Sequence, residues 1–393
     1  MKILFMQQAG ALGIGGLTRC LAVATEAVLN GHEVAFFCRK EVKEFITKNI
    51  ATRIFDAPVP PQVLNIENKK IKNFTLADSI KIRNMDNLVY LDSTIRAEIK
   101  AIKTFKPNVV FTENQFSAAI SSELTSVPLV TTAASVNHPK FSSPLYNSNQ
   151  KTIGVERNYN KILRKYRLRP ISDISELSNG RSALNISPTI PELEPLLASF
   201  PNNHYVGQLL FSKIEVGPVE EKYINTKQPL LFVYMSRGSI TSIQVISALR
   251  SSFRNTHYVI VVVLREKKFY ENKLPYNIEK NIRLYEELPG ITIMKQSVAV
   301  ITRGGQNTTM ACMISGTPIL GFPGDSAEAD FNLRGISNKG AGINCKLEDL
   351  GNLPVLVKEI TQRKYHDNTE ILGEKIKALG GAQTTIRLIE KIL

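Results

Sequence analysis

The stretch "TRGGQNTTMACMISGTPILGFPG", Thr302 to Gly324, follows the apolar strand Ala299–Thr302, which ends at Arg303 and the pair Gly304-Gly305. Asn307, Thr308 or Thr309 then caps a helix over Asn307–Ser315, and Gly316-Thr317 leads into a second apolar strand, Pro318–Phe322. Strand, glycine turn, helix and strand in that order form one unit of a parallel sheet with helices on its faces. The turn also carries chemistry. The N–H groups and dipole of a helix N-terminus suit an anion, the glycines let it approach, and Arg303 adds a fixed cation with fork-like donors. Gly-Gly before a capped helix is also ordinary turn chemistry, and these residues alone leave the two readings level.

The same alternation runs outward to both ends of the chain. In the first half, strands are expected at Ile3–Met6, Val34–Cys38, Val109–Thr112, Leu129–Thr132 and Ala183–Ile186. Helical patterns fall at Leu17–Leu29, Glu41–Lys48, Asp92–Thr104 and Ser117–Leu124, while Asp56–Asp86 reads as an excursion with weak periodicity. In the second half, strands are expected in "PLLFVYMSRGS" and at Tyr258–Leu264, Ala299–Thr302, Pro318–Phe322 and Gly340–Asn344. Helices fall at Thr241–Ser252, Asn307–Ser315 and Ala327–Lys339. The class is therefore α/β, with two doubly wound parallel sheets. The expected division is a first domain over 1–211, a polar linker over 212–229, a second domain over 230–375 and a last helix over 376–393 that packs back on the first domain. Tandem domains of this kind place a ligand in a cleft at the carboxyl ends of their strands.

The 393 residues exceed one ordinary core, and 43% hydrophobic against 21% charged residues is the balance of a soluble globular protein. The N-terminus reads as a buried first strand rather than a leader peptide, and no apolar run approaches the roughly 18 residues of a membrane span. Cys20, Cys38, Cys312 and Cys345 are scattered without a CxxC or Cys/His cluster, which points to reduced core thiols, a cytoplasmic setting and no bound metal. The net charge of +14 is spread out: Lys+Arg against Asp+Glu is 25 to 17 up to Pro201 and 24 to 18 beyond it. A nucleic-acid binder more often concentrates such an excess, so no nucleic acid is expected as partner. The densest basic run is "RNYNKILRKYRLR", Arg157 to Arg169, with no acid. It reads as a helix burying Tyr159, Ile162, Leu163 and Tyr166 under a solvated basic face, or as a grip for an anionic lipid surface or acidic partner.

A second glycine turn, "GALGIGGLTR" (Gly10 to Arg19), follows the first strand. The dinucleotide fingerprint G-x-G-x-x-G fails at Thr18, and Arg39-Lys40 stand where an acid would bind an NAD ribose. An NADP enzyme is thus a weak rival, which leaves the Arg303 turn without a task. No G-x-x-x-x-G-K-[ST] occurs.

Taken together, these stretches resemble the nucleotide-sugar-dependent glycosyltransferases of the GT-B fold, above all the bacterial macrolide and antibiotic glycosyltransferases in the superfamily of the UDP-glucuronosyltransferases. "GIGGLTRCLAVATEAVLNGHEVAFF" is similar to the family's opening G-x-G-H-x-x-R-x-L-x-L-A…G-H-x-V, and "FKPNVVFTEN" to its P-D-x-V-x-x-D strand. "ISPTIPELEP…NNHYVGQLL" is similar to its segment before the linker. "LPGITIMKQSVAVITRGGQNTTMACMISGTPILGFPG" resembles the donor motif P-x(13)-H-G-G-x-x-T…G-x-P, with Pro289, Gly304, Gly305, Thr308, Gly316 and Pro318 in register. The likeness covers nearly the whole chain apart from Asp56–Asp86 and the last helix.

The resemblance implies two facing Rossmann-like domains, the acceptor held by the first and the donor by the second. By position, Ser236, Gly238 and Ser239 would line the donor phosphates, and Leu288 and Pro289 would border the base. Arg303 takes the place of the family's diphosphate-binding His, beside Gly304, Gly305, Asn307, Thr308 and Thr309. Many relatives carry a ribose-gripping Glu where Ala311 stands here, which makes a dTDP-sugar as plausible a donor as a UDP-sugar. "EADFN" keeps Glu328 and Asn332 but has Ala329 in place of the family's Gln. On the acceptor side lie Gly13, Gly15 and Gly16. The family's catalytic His falls sixteen residues before His32, on Gly16, and the Asp that orients it falls six beyond Pro107, on Glu113. An inverting transfer needs a base for the acceptor hydroxyl. Glu113 reaching into the gap at Gly16 would supply one, with His138 in reserve.

The expected function is thus inverting, metal-independent transfer of a sugar from a dTDP- or UDP-sugar to a small hydroxylated natural-product acceptor. The nucleotide-sugar is substrate, and no further cofactor is implied. No Asp-x-Asp is placed to hold a divalent ion on the diphosphate, so Arg303 and the helix N-terminus would neutralise it. The rival readings are a non-catalytic partner protein of the same fold and a nucleotide-sugar hydrolase. A homodimer or an auxiliary protein would also fit the partner reading.

Overall fold

The computed structural model describes residues 1–7, 15–61, 75–145, 154–211, 227–235, 239–264, 276–285 and 288–393. The chain divides into two units, residues 1–213 with 379–393, and residues 214–378.

In the first unit β1 (Lys2–Gln7), α1 (Gly15–Leu29), β2 (Glu33–Cys38), α2 (Lys43–Asn49) and β3 (Arg53–Asp56) are followed by α3 (Leu76–Ile82) and α4 (Leu88–Phe105). Then come β4 (Val109–Glu113), α5 (Ser117–Thr125), β5 (Leu129–Thr132), α6 (Val155–Lys165), β6 (Leu184–Ser187) and β7 (Asn203–Tyr205). The strands form one all-parallel sheet in the order β3-β2-β1-β4-β5-β6-β7. Alternation along β1 shows why both faces are covered. Ile3 and Phe5 join Leu17, Leu21 and Ala24 of α1 in one core, and Leu4 and Met6 join Leu91, Ile95 and Ile102 of α4 in the other.

The second unit contains β8 (Leu230–Met235), α7 (Ser242–Phe253), β9 (Val259–Leu264), β10 (Tyr276–Glu279), β11 (Ile282–Tyr285), α8 (Gly290–Gln296) and β12 (Ser297–Thr302). It continues with α9 (Gln306–Ile314), β13 (Ile319–Gly321), α10 (Ala327–Asn338), β14 (Gly342–Asn344), α11 (Leu353–Ile360) and α12 (Arg363–Ala378). Its sheet runs β10-β11-β9-β8-β12-β13-β14, parallel except for the β10–β11 pair. The last helix, α13 (Gly381–Lys391), buries Ile386 and Ile389 in the α1 core of the first unit, and the Gly381 N–H donates to the Val206 carbonyl at 2.7 Å.

Among the parallel strands, each sheet reverses its order between β1 and β4 in the first unit and between β8 and β12 in the second. In open α/β sheets ligands bind beyond the carboxyl ends of the strands at such a switch point. Glu113 is the last residue of β4, paired in register with Gln7, and Arg303 directly follows β12, whose Thr302 pairs with Tyr234 of β8. Topology alone thus puts the two main candidate residues at the two places where a ligand is expected.

All four cysteines are buried and unbridged. Burial pushes the thiols of Cys38 and Cys345 up to about 12, and those of Cys20 and Cys312 well up too. They are packing residues, not nucleophiles. Among the described residues no helix is long and apolar enough to cross a membrane.

Candidate functional site

One candidate site lies in the first unit and is built by α1 and the ends of β4 and β5. Gly16 and Arg19 are three residues apart on α1 and so share one face of the helix. A Cβ on Gly16 would lie 2.4 Å from Glu113 Cγ and 3.3 Å from Glu113 Oε1. Glycine is required here for space: the Glu113 side chain lies where a residue with a side chain would have to be. Glu113 is only 2% exposed, and its two oxygens carry four donors. Arg19 Nη2 donates to Oε1 at 2.5 Å and Arg19 Nε to Oε2 at 3.3 Å. Asn114 Nδ2 donates to Oε1 at 3.1 Å, and the Thr132 hydroxyl to Oε2. A carboxylate has about four lone-pair sites, so this one is filled, and the two-point Arg19 contact fixes its plane. A further donor reaches Glu113 only by displacing one of these four. The Asn114 amide on Oε1, from a residue at φ 57°, is the neutral donor on the oxygen nearer Gly16.

Sequence reasoning missed Arg19, Asn114 and Thr132 as parts of this site. A signal existed for Arg19, a cation on a helix that otherwise buries Leu17, Cys20, Leu21 and Val23. Thr132 reaches Glu113 only through the pairing of β4 with β5. Gly13 lies outside the described residues, and Gly15 opens α1.

His138 is corrected from reserve base to structural residue. Its Nδ1 accepts the Lys140 N–H at 3.1 Å, which leaves Nε2 to donate to Ser199 Oγ at 2.7 Å. Its ring also packs on Phe200 with centroids 4.8 Å apart. Both nitrogens are occupied, and burial followed by the charge of Lys140 holds the imidazole below its ordinary range.

Helix α4 carries a buried acid that the sequence reading did not single out. Glu98 of α4 accepts on Oε1 from Gln115 Nε2 and Ser117 Oγ, each at 2.6 Å. Burial pushes its carboxyl up to about 7, against smaller lowering by Ser117 and Gln115. Unfolded, it titrates near 4.5. The folded state therefore holds the extra proton between these values, and stability falls as pH rises through that window, by about 3 kcal/mol at 1.36 kcal/mol per pKa unit. Glu98→Gln should gain stability relative to the parent as pH rises from 5 to 8 in thermal melts. A pH-independent difference would contradict the assignment.

A second candidate site, in the second unit, surrounds Arg303. This side chain is 6% exposed and donates from Nη2 to the Ile240 carbonyl at 2.9 Å. Ser239 Oγ accepts the Asp325 N–H at 3.1 Å. A Cβ on Gly324, whose φ is 60°, would lie 2.3 Å from Ser239 Oγ and 3.4 Å from Arg303 Nη1. The loops after β8, β12 and β13 thus meet at the guanidinium. The Gly304-Gly305 turn is shaped by α10: a Cβ on Gly304, at φ 89°, would lie 2.4 Å from Leu333 Cγ. Asn332 Nδ2 donates to the Gly304 carbonyl at 3.0 Å, so Asn332 shapes the turn.

The start of α9 differs from expectation. Its N-cap is Gly305, which has no side chain to cap the helix, and Asn307 and Thr308 fall half-buried in its first turn. Thr309, expected to face a phosphate, is fully buried and donates to the Gln306 carbonyl at 2.9 Å, a correction that follows from its position on the inner face of α9. Pro289 caps α8 beside Leu288, both partly exposed, and Glu328 is exposed in the first turn of α10. Ala311 is buried at 4% exposure. Ser236 and Gly238 lie outside the described residues.

These two candidate sites can be set against known proteins. No model of a known protein family matches the chain. An uncharacterized glycosyltransferase of Methanosarcina mazei is 25% identical over 394 residues, spanning 96% of each chain. The crystal structure of the calicheamicin glycosyltransferase CalG4 matches with a TM-score of 0.78 at 14% identity, covering 100% of this chain and 98% of that one. The fold is GT-B. The spinosyn rhamnosyltransferase SpnG, solved with thymidine diphosphate, shares this GT-B fold with a TM-score of 0.72 at 14% identity, over 99% of this chain and 100% of that one. The homologues of this GT-B chain are glycosyltransferases.

Proposed function

We propose that the chain transfers a sugar from a nucleoside-diphosphate sugar to a hydroxyl of a small, natural-product-like acceptor, with inversion and without a metal ion. The observation that carries this reading is the buried Arg303 guanidinium, set among Ser239, Gly324 and the Gly304-Gly305 turn at the switch point of the second sheet. The glycosyltransferase relatives support it.

On the donor side, Arg303 and the N-terminus of α9 stabilise the diphosphate as the bond from the anomeric carbon to its oxygen breaks. Leu288 and Pro289 border the nucleobase, and Thr308, Asn307 and Glu328 flank the phosphates and sugar. On the acceptor side, the hydroxyl displaces the Asn114 amide, gives its proton to Glu113 Oε1 and bonds to the anomeric carbon from the opposite face. Arg19 and Thr132 hold the carboxylate still. Ala311, in place of a ribose-gripping acid, favours a dTDP-sugar donor, in line with the thymidine diphosphate that SpnG binds.

Incubation with dTDP- and UDP-sugars and a panel of hydroxylated aglycones tests the reading. Glycoside and free nucleoside diphosphate should appear in equal amounts, undiminished by EDTA. Release of free sugar alone would identify a hydrolase. Nucleotide binding without any turnover would favour the non-catalytic reading, to which the four-donor cage around Glu113 also lends itself.

A further inference from the structure

We propose that the exposed face of α6, with the start of α4 beside it, docks on an anionic lipid bilayer. The helix buries Val155, Tyr159, Ile162 and Leu163 and turns Arg157, Lys161, Arg164 and Lys165 outward. Arg157, Lys161 and Arg164 follow one another at i, i+4 and i+7, a single stripe along the helix. Like charges at this spacing repel, so the stripe weakens the helix that carries it unless an opposite charge covers it.

No described residue does so. Among the described residues the side chains of Arg157, Lys161, Arg164 and Arg167 make no ion pair or hydrogen bond, and the one acid of α6, Glu156, sits in its first turn. Neighbouring acids are taken by other cations. Asp92 holds Lys165 at 2.6 Å and Arg96 at 2.9 Å, Asp86 holds Lys81, and Glu176 holds Arg169 at 3.2 Å. Arg167 follows the helix end at φ 58°, a left-handed position that favours glycine, yet the chain keeps a cation there.

The neighbouring surface selects the occupant. Asp92 ties α6 to α4, and one turn before it on the same side of α4 Val89 is 79% exposed, next to Leu88 at 36%. Unpaired cations beside exposed aliphatic side chains match an anionic headgroup layer over acyl chains. A nucleic acid fits less well: Tyr159 is buried, and the Tyr166 ring packs against the α4 core with Lys165 Nζ 5.8 Å from its centroid, so α6 offers no free aromatic face for base stacking.

Co-sedimentation of the full chain with vesicles tests this. With phosphatidylcholine containing about a third phosphatidylglycerol, at low salt, partitioning should exceed that on pure phosphatidylcholine about a hundredfold, since each surface cation contributes about 1 kcal/mol. It should collapse near 0.5 M KCl. Arg157→Gln/Lys161→Gln/Arg164→Gln, which keeps good helix formers at exposed positions, should lose at least tenfold with an unchanged circular dichroism spectrum. The control Lys339→Gln/Lys358→Gln/Lys391→Gln, of equal net charge, should retain binding. No preference for anionic vesicles would overturn the proposal, as would equal loss in both triple variants or undiminished binding by the α6 variant.

Discussion

Glu113→Gln should lower turnover by about 10²- to 10⁴-fold, the range of a general base, while leaving affinity for the donor nucleotide unchanged. The substitution keeps the volume that fills the space at Gly16 and keeps an acceptor oxygen for Arg19, but it removes the group that takes the proton. The binding readout matters because Arg19, only 12% exposed in its side chain, loses its counter-charge, and a destabilised protein would lose both properties together. Glu113→Asp adds a second check. It keeps the carboxylate but withdraws it by one methylene from Gly16, so turnover should fall less than in the Gln variant. Near-normal turnover in Glu113→Gln would show that Glu113 is a structural tie and that the acceptor needs no base from the protein.

Arg303→Met should weaken donor binding about 10- to 100-fold and slow turnover of bound donor about a hundredfold. The first figure follows from a charge-assisted hydrogen bond of roughly 1.5–3 kcal/mol, and the second from losing one donor to charge that develops as the diphosphate leaves. Methionine keeps the bulk of the side chain but leaves the Ile240 carbonyl without its partner, so some loss of thermal stability should accompany the effect. Arg303→His restores the residue type of the resembled family and should recover part of both losses. Calorimetry with the diphosphate and steady-state rates measured on the same preparation separate binding from chemistry. Unchanged affinity in Arg303→Met would remove the guanidinium from the donor site.

The inner strands β1 and β12 were legible because they are six residues long and largely apolar: Ile3–Met6 and Ala299–Thr302 are expected strands and lie within them. The edge strands Arg53–Asp56, Asn203–Tyr205 and Tyr276–Glu279 were not, because an edge has one neighbour and tolerates short polar runs. The start of α9 was misplaced because Gly305 ends the turn without a capping side chain, and Asn307 and Thr308 resemble caps in sequence. In the first unit, two counts along the chain juxtaposed Gly16 and Glu113, and the lack of room for a Cβ at Gly16 shows that they meet. The four-donor cage was out of reach. Arg19 lies 94 residues from Glu113 and Thr132 19 residues away, so only the order of strands β1, β4 and β5 brings the three together. His138 misled for the opposite reason: a loop histidine looks available until both nitrogens are traced to Lys140 and Ser199.

Calorimetric titration of the wild-type chain and Glu113→Gln with dTDP and with UDP probes the assignment of donor and base to different units most directly. One site per chain, dTDP bound at least as tightly as UDP, and equal affinities in the two proteins are the expected result. Failure of the wild type to bind either nucleotide, or loss of nucleotide binding in a folded Glu113→Gln protein, would contradict it.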